Sequence, residues 1–128
     1  MGKSQRNKGA RGERLWRDVC RAEGFADVQR GCQLFQAGSE IADVVGLPGI
    51  HVEVKFQERL NVRAAMEQAE RDTLEAGGHE IPIVAHKTSR KPWLVTMKSE
   101  DWFRVYKVWE RAQYGESQRT LETVSRIS

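Results

Sequence analysis

Asp43, Glu53 and Lys55 stand on two short runs of apolar, mostly β-branched residues, IADVVG (41–46) and IHVEVKF (50–56). A charged side chain on a core strand is costly unless it is paired or bound to a metal. Three such groups brought together are better explained by a site than by accident. Two carboxylates and a strand carbonyl make a hard, oxygen-only partial cage. That donor set suits Mg²⁺, which is satisfied by a few carboxylates plus water and phosphate oxygens; Mn²⁺ is expected to substitute. An ion there would polarise a phosphodiester and acidify water. Lys55, one strand repeat beyond Glu53, is placed to orient the attacking water or neutralise developing charge. Glu13 is a third carboxylate, among basic residues, that could reach the ion through water. Gln68 either bonds water or substrate at this site or is a satisfied half-buried amide. Plainer readings stand beside these. Lys55 could pair with Glu53 and do no chemistry, and Glu13 could pair with Arg17 at i,i+4 for only about 0.3–0.5 kcal/mol. His51 shares the face of Glu53 and Lys55 and reads as a partly exposed strand histidine.

These residues need a scaffold, and the periodicity supplies one. Residues 9–23 have helical spacing, with Leu15, Trp16, Val19 and Cys20 on one stripe and Gly24 as the stop. Residues 25–30 form a short strand candidate and 31–40 a loop. The runs 41–46 and 50–56 flank a Leu-Pro-Gly turn, so an antiparallel hairpin is expected. Asn61 caps a helix running to about Ala76, with Val62, Ala65, Met66, Ala69 and Thr73 inward. Strands are expected at 81–86 and 92–97, around the basic turn KTSRK. Ser99 caps a last helix whose stripe is Trp102, Phe103, Val105, Tyr106 and Trp109. Trp93, Trp102 and Trp109 read as core or dimer surface. The order αβββαββα describes an α/β fold, a central mixed five-stranded sheet flanked by helices. One domain is expected over 9–113, between a basic flexible arm (1–8) and a polar, frayed tail (114–128).

Charge and composition narrow the partners. Of the net charge of +3, residues 1–30 carry +4 and the remainder −1. The first twelve residues hold four positive charges and no acid. Such an arm is either a solubilising tail or an approach to a polyanion, with nucleic acid the first candidate. No stretch approaches the ~20 apolar residues of a membrane span, and the N-terminus lacks a secretory apolar core. Cys20 and Cys32 form no CxxC, which points to a reducing, cytoplasmic setting.

The pattern D-x(9)-E-V-K on a hairpin, after a helix bearing Glu, resembles the PD-(D/E)xK nuclease superfamily; the Pro usual before the Asp is Ala42 here. The chain is more closely similar to archaeal-type Holliday junction resolvases, including phage-encoded ones. The likeness lies in KGARGER (8–14), Gly24-Phe25, a basic strand residue for which Arg30 is the candidate, Gly38-Ser39 before Asp43, and Glu-Val-Lys at 53–55. It covers roughly residues 8–97. It implies a restriction-endonuclease-like core and a homodimer in a bacterial or archaeal cytoplasm that cleaves four-way DNA junctions with Mg²⁺, leaving 5′-phosphates. By position, Glu13, Asp43, Glu53 and Lys55 match the catalytic set. Asp43, Glu53, the Val54 carbonyl and Glu13 are then the expected metal ligands. Arg14, Arg30 and Ser39 match residues that touch DNA or support the site, and Lys8, Arg11, Arg59 and Arg63 are further DNA-contact candidates. The alternatives are a nicking or restriction-like endonuclease on duplex or flap DNA, and a non-catalytic DNA-binding module of the same fold.

Overall fold

The structure is a computed structural model. It describes the backbone of residues 3–31 and 42–127, and side chains over 9–31 and 42–115. The elements are α1 (Lys3–Ala22), β1 (Gln29–Arg30), β2 (Val44–Val45), β3 (Ile50–Phe56), α2 (Val62–Glu75), β4 (Ile81–Lys87), β5 (Leu94–Met97) and α3 (Ser99–Ile127). The expected order αβββαββα is the observed one. The chain divides into two compact units, Met1–Met97 and Lys98–Ser128. Among the described residues no helix is long and apolar enough to cross a membrane.

The first unit is a five-stranded sheet in the order β1-β2-β3-β4-β5, mixed as expected. β3 is central, antiparallel to β2 and parallel to β4. A parallel pair needs a long crossover, and α2 supplies it. The hairpin between β2 and β3 turns on Gly46 and Gly49, both at positive φ. Gly46 is also where the chain passes β1, since a Cβ there would lie 2.7 Å from the Cα of Val28. β2 is two residues long rather than six, because this positive-φ turn ends it on one side.

The period of two on β3 separates two chemistries. Val52 and Val54 join Ile83 and Ala85 of β4 in packing against Trp16 and Cys20 of α1. Trp93 closes this cluster, its ring 5.1 Å from that of Trp16. His51, Glu53 and Lys55 take the other face, beneath α2, whose buried residues are Ala65, Met66, Ala69 and Thr73. Asn61 is the N-cap, its side chain accepting from the Ala64 N–H at 3.0 Å.

Two expectations for the ends change. α1 begins at Lys3 rather than Gly9, so most of the stretch expected as an arm is helical. α3 runs to Ile127, with a break at Gly115, where a frayed tail was expected. Within α3 the aromatics form a ladder: the rings of Trp102 and Tyr106 stack at 5.2 Å, and Tyr106 meets Trp109 at 5.7 Å. Trp102 and Trp109 are about half exposed, so they are surface rather than core.

α1 approaches β3 closely at Gly12, where a Cβ would sit 2.9 Å from Phe56 Cβ. Gly9, one turn earlier, has open space. Gly12→Val is therefore expected to destabilise the fold by about 1–3 kcal/mol through overpacking. Gly9→Ala should stabilise it by roughly 0.5–1 kcal/mol through helix propensity. Thermal melts of the two variants check this; equal shifts would contradict the close approach.

Candidate functional site

Asp43 immediately precedes β2 and continues its bonding. Its N–H donates to the Val52 carbonyl at 3.0 Å, and its carbonyl accepts from Gly31 at 2.9 Å. Past this point β2 no longer faces β3, and the Val54 N–H donates instead to Asp43 Oδ2 at 2.8 Å. The acid on an apolar strand thus replaces a missing ladder partner. This bond aligns one carboxylate oxygen with the middle of β3.

β3 and α2 then build the opposite wall. In a strand–helix–strand unit the helix runs back along the strands. Residues that climb β3 are therefore met by residues that descend α2, one helical turn for two strand residues. Lys55 Nζ donates to Gln68 Oε1 at 3.3 Å. One turn along, Asp72 comes beside Glu53 and His51. These three each offer a ligand atom, all within 4.8 Å of one another. His51 and Glu53 are buried, at 1% and 3% exposure. Glu13 reaches the same region from α1, where it accepts from Arg30 Nε at 3.2 Å. Its expected alternative partner, Arg17, pairs with Asp18 instead.

The electrostatics mark this cluster as short of positive charge. Burial pushes the Glu53 carboxyl up to about 7, helped by Asp43 and Asp72 and opposed by His51. Burial also raises Asp43, against the Val54 N–H bond and Lys55, and raises Glu13, with Asp43 adding to the effect. His51 is held protonated to higher pH, chiefly by Glu53. Mutually destabilised carboxylates with few local cations form a donor set that a hard divalent ion would satisfy. Glu13, Asp43, Glu53, Lys55 and Gln68, with the Val54 backbone, line one open cleft of about 610 Å³. The structure therefore brings these expected residues together.

The expected DNA contacts are placed as follows. Arg11, Arg14, Arg59 and Arg63 are exposed. Arg11 has its guanidinium 5.6 Å from the centre of the ring of Phe56, which lines the cleft. Arg30 is mostly buried and committed to Glu13. Ser39, and the side chain of Lys8, lie outside the described residues. Three residues escaped the sequence reading. Asp72 and Glu80 flank His51, which is buried rather than partly exposed. Lys87 stands 5.6 Å from the Phe56 ring centre. Asp72 falls one turn after Gln68 on the same helix face, a spacing that could have flagged it.

No family model matches the chain, and no curated protein sequence does. Among solved structures it is similar to Hjc of Archaeoglobus fulgidus, a Holliday junction resolvase from an archaeal hyperthermophile. The two are 25% identical over 70% of this chain and 72% of that one, with a TM-score of 0.49.

The buried acids predict how stability depends on pH. Glu53 ionises near 4.5 when unfolded but only near 7 when folded. Between these values the folded state binds more protons, so stability falls as pH rises through the window. The upward shifts of Asp43 and His51 act in the same sense. Metal-free protein in chelator should melt higher at pH 5 than at pH 8. Glu53→Gln should flatten that dependence, and an unchanged slope would show that Glu53 does not carry it.

Proposed function

We propose that this chain is a Mg²⁺-dependent endonuclease that resolves four-way DNA junctions by paired nicks leaving 5′-phosphates. It would act as a homodimer in a bacterial or archaeal cytoplasm. The observation that carries this reading is the convergence of Glu13, Asp43, Glu53 and Lys55 on one cleft, with Arg11 over the Phe56 ring that lines it. The ordered motifs KGARGER, Gly38-Ser39 and Glu-Val-Lys support the junction substrate by resemblance.

Asp43 and Glu53, with the Val54 carbonyl and Glu13, would hold the ion. When bound it supplies positive charge to a phosphodiester oxygen and lowers the pKa of water. The chain's own residues do the rest. Asp43 is aligned by the Val54 N–H. Lys55, steadied by Gln68, directs its ammonium into the cleft to position water or meet charge on the phosphate. Glu13 is aimed by Arg30, whose charge is thereby used inside the site rather than on DNA. Arg11 and Lys87 beside Phe56 are placed to neutralise backbone phosphates. Paired nicks need two sites related by a twofold axis, and the exposed aromatic ladder of α3 is our choice of dimer surface.

Asp43→Asn retains an oxygen for the Val54 N–H while removing the charge. It and Glu53→Gln should abolish cleavage and leave junction binding near wild type. Normal cutting by either variant would refute the assigned site. Arg11→Ala and Lys87→Ala should each weaken binding across all sequences and lower the slope of log affinity against log salt by about 1. The deciding experiment offers labelled junction, duplex and flap DNA with and without Mg²⁺. Symmetric nicks in the junction alone support resolution, and general duplex cutting points to a nicking enzyme. Binding without turnover in Mg²⁺ or Mn²⁺ points to a non-catalytic module. A strictly monomeric protein in sedimentation would oppose resolution.

A further inference from the structure

His51 is an unusual core residue. Among the described residues it is the largest fully buried side chain, at 1% exposure, and its Nε2 makes no well-formed hydrogen bond, only a 3.5 Å contact with Glu53 Oε1. An imidazole nitrogen left in that state is expensive. Nε2 points into a group of oxygens: Glu53 Oε1 is 3.5 Å away, and Asp72 completes a triad with all donor atoms inside 4.8 Å. On the other side of the ring, Nδ1 faces Glu80 Oε1 at 3.8 Å. A carboxylate beside the far nitrogen is the partner that orients metal-binding imidazoles, and closing this pair from 3.8 Å to hydrogen-bond distance would complete that arrangement.

We propose that His51 Nε2, Glu53 and Asp72 form a second metal site, which takes a borderline transition-metal ion, Zn²⁺ in the first instance. The donor set decides the class of ion. Mg²⁺ takes oxygen ligands, whereas an imidazole with two carboxylates suits Zn²⁺ in a four-coordinate shell with one position left for water. Zn–N and Zn–O bonds of about 2.0–2.2 Å draw the three donors together from their present spacing, a closure within reach of side-chain rotation. Glu53 opens on the 610 Å³ cleft, and on the Nδ1 side His51 and Glu80 line a separate one of about 270 Å³. Glu53 is the one residue common to this site and to the proposed Mg²⁺ set. The inference rests on His51 and Asp72, which that set does not use, and it does not depend on nuclease activity.

The test uses the full-length protein labelled with ¹⁵N and titrated with Zn²⁺ in excess Mg²⁺. One equivalent of Zn²⁺ should shift the ring nitrogens of His51 and leave those of His79 and His86 unmoved. Asp72→Asn, at a half-buried helix position, should weaken Zn²⁺ binding by at least about 100-fold, the upper end of what even an outer-shell change costs. Its melting curve verifies that it folds. Asp43→Asn changes the charge beside Glu53 but removes no proposed ligand, so it should still bind one Zn²⁺ at His51, more tightly than Asp72→Asn does. The proposal is overturned if Zn²⁺ shifts only His79 or His86, if Mg²⁺ displaces it at equal concentration, or if folded Asp72→Asn binds as tightly as wild type. Loss of Zn²⁺ binding in Asp43→Asn would overturn it too, by placing the ion in the other cluster. Protein that binds Zn²⁺ at His51 but cuts no DNA refutes the nuclease reading alone, and the converse result refutes this site alone.

Discussion

Holding an ionised carboxylate inside a folded sheet costs several kcal/mol unless charge or hydrogen bonds replace the lost water. Glu53 sits on the central strand at 3% exposure, and much of the first unit is arranged around it. His51 flanks it on its own strand, Asp72 comes from α2, and Asp43 comes from the neighbouring strand. Two of those three neighbours are acids. The cluster thus crowds acids that His51 only partly offsets, so each carboxyl is held back from ionising, a penalty that a bound cation would relieve.

Asp43 shows how local backbone accounting produces this geometry. β2 ends early, so β3 has an N–H with no strand opposite, and a buried N–H must find a partner. The Asp43 carboxylate is that partner. One hydrogen bond therefore completes the sheet and holds a carboxylate beside Glu53. The close pass of α1 at Gly12 has a similar double effect. It packs the helix on Val54 and Phe56, and it brings Glu13, one residue on, to the edge of the same cleft.

The acids of the cleft have basic residues beside them, next to its Phe56 wall. Arg11 and Lys87 lie against Phe56, and Arg30 is drawn inward to Glu13. A polyanion approaching this surface meets positive charge first and the acids only at depth, where an ion would bridge the two.

The sequence by itself determined the element order, because periodicity of two and of 3.6 is a local property that needs no partner. The span 50–56, the Asn61 cap and the apolar face of α2 were all legible. So was the grouping of Asp43, Glu53 and Lys55, since ionisable residues in apolar runs stand out. The ends were not: Lys3–Ala22 starts ahead of its amphipathic stripe in polar sequence, and helix resumes beyond the break at Gly115 to reach Ile127. Only the tertiary structure decided that His51 is buried and that Asp72 and Glu80 flank it. It also decided that Glu13 pairs with Arg30 instead of Arg17. Each of these follows from which helix covers which face of β3. The crossover through α2 settles that at a range where residues about twenty positions apart become neighbours, and no local spacing encodes it.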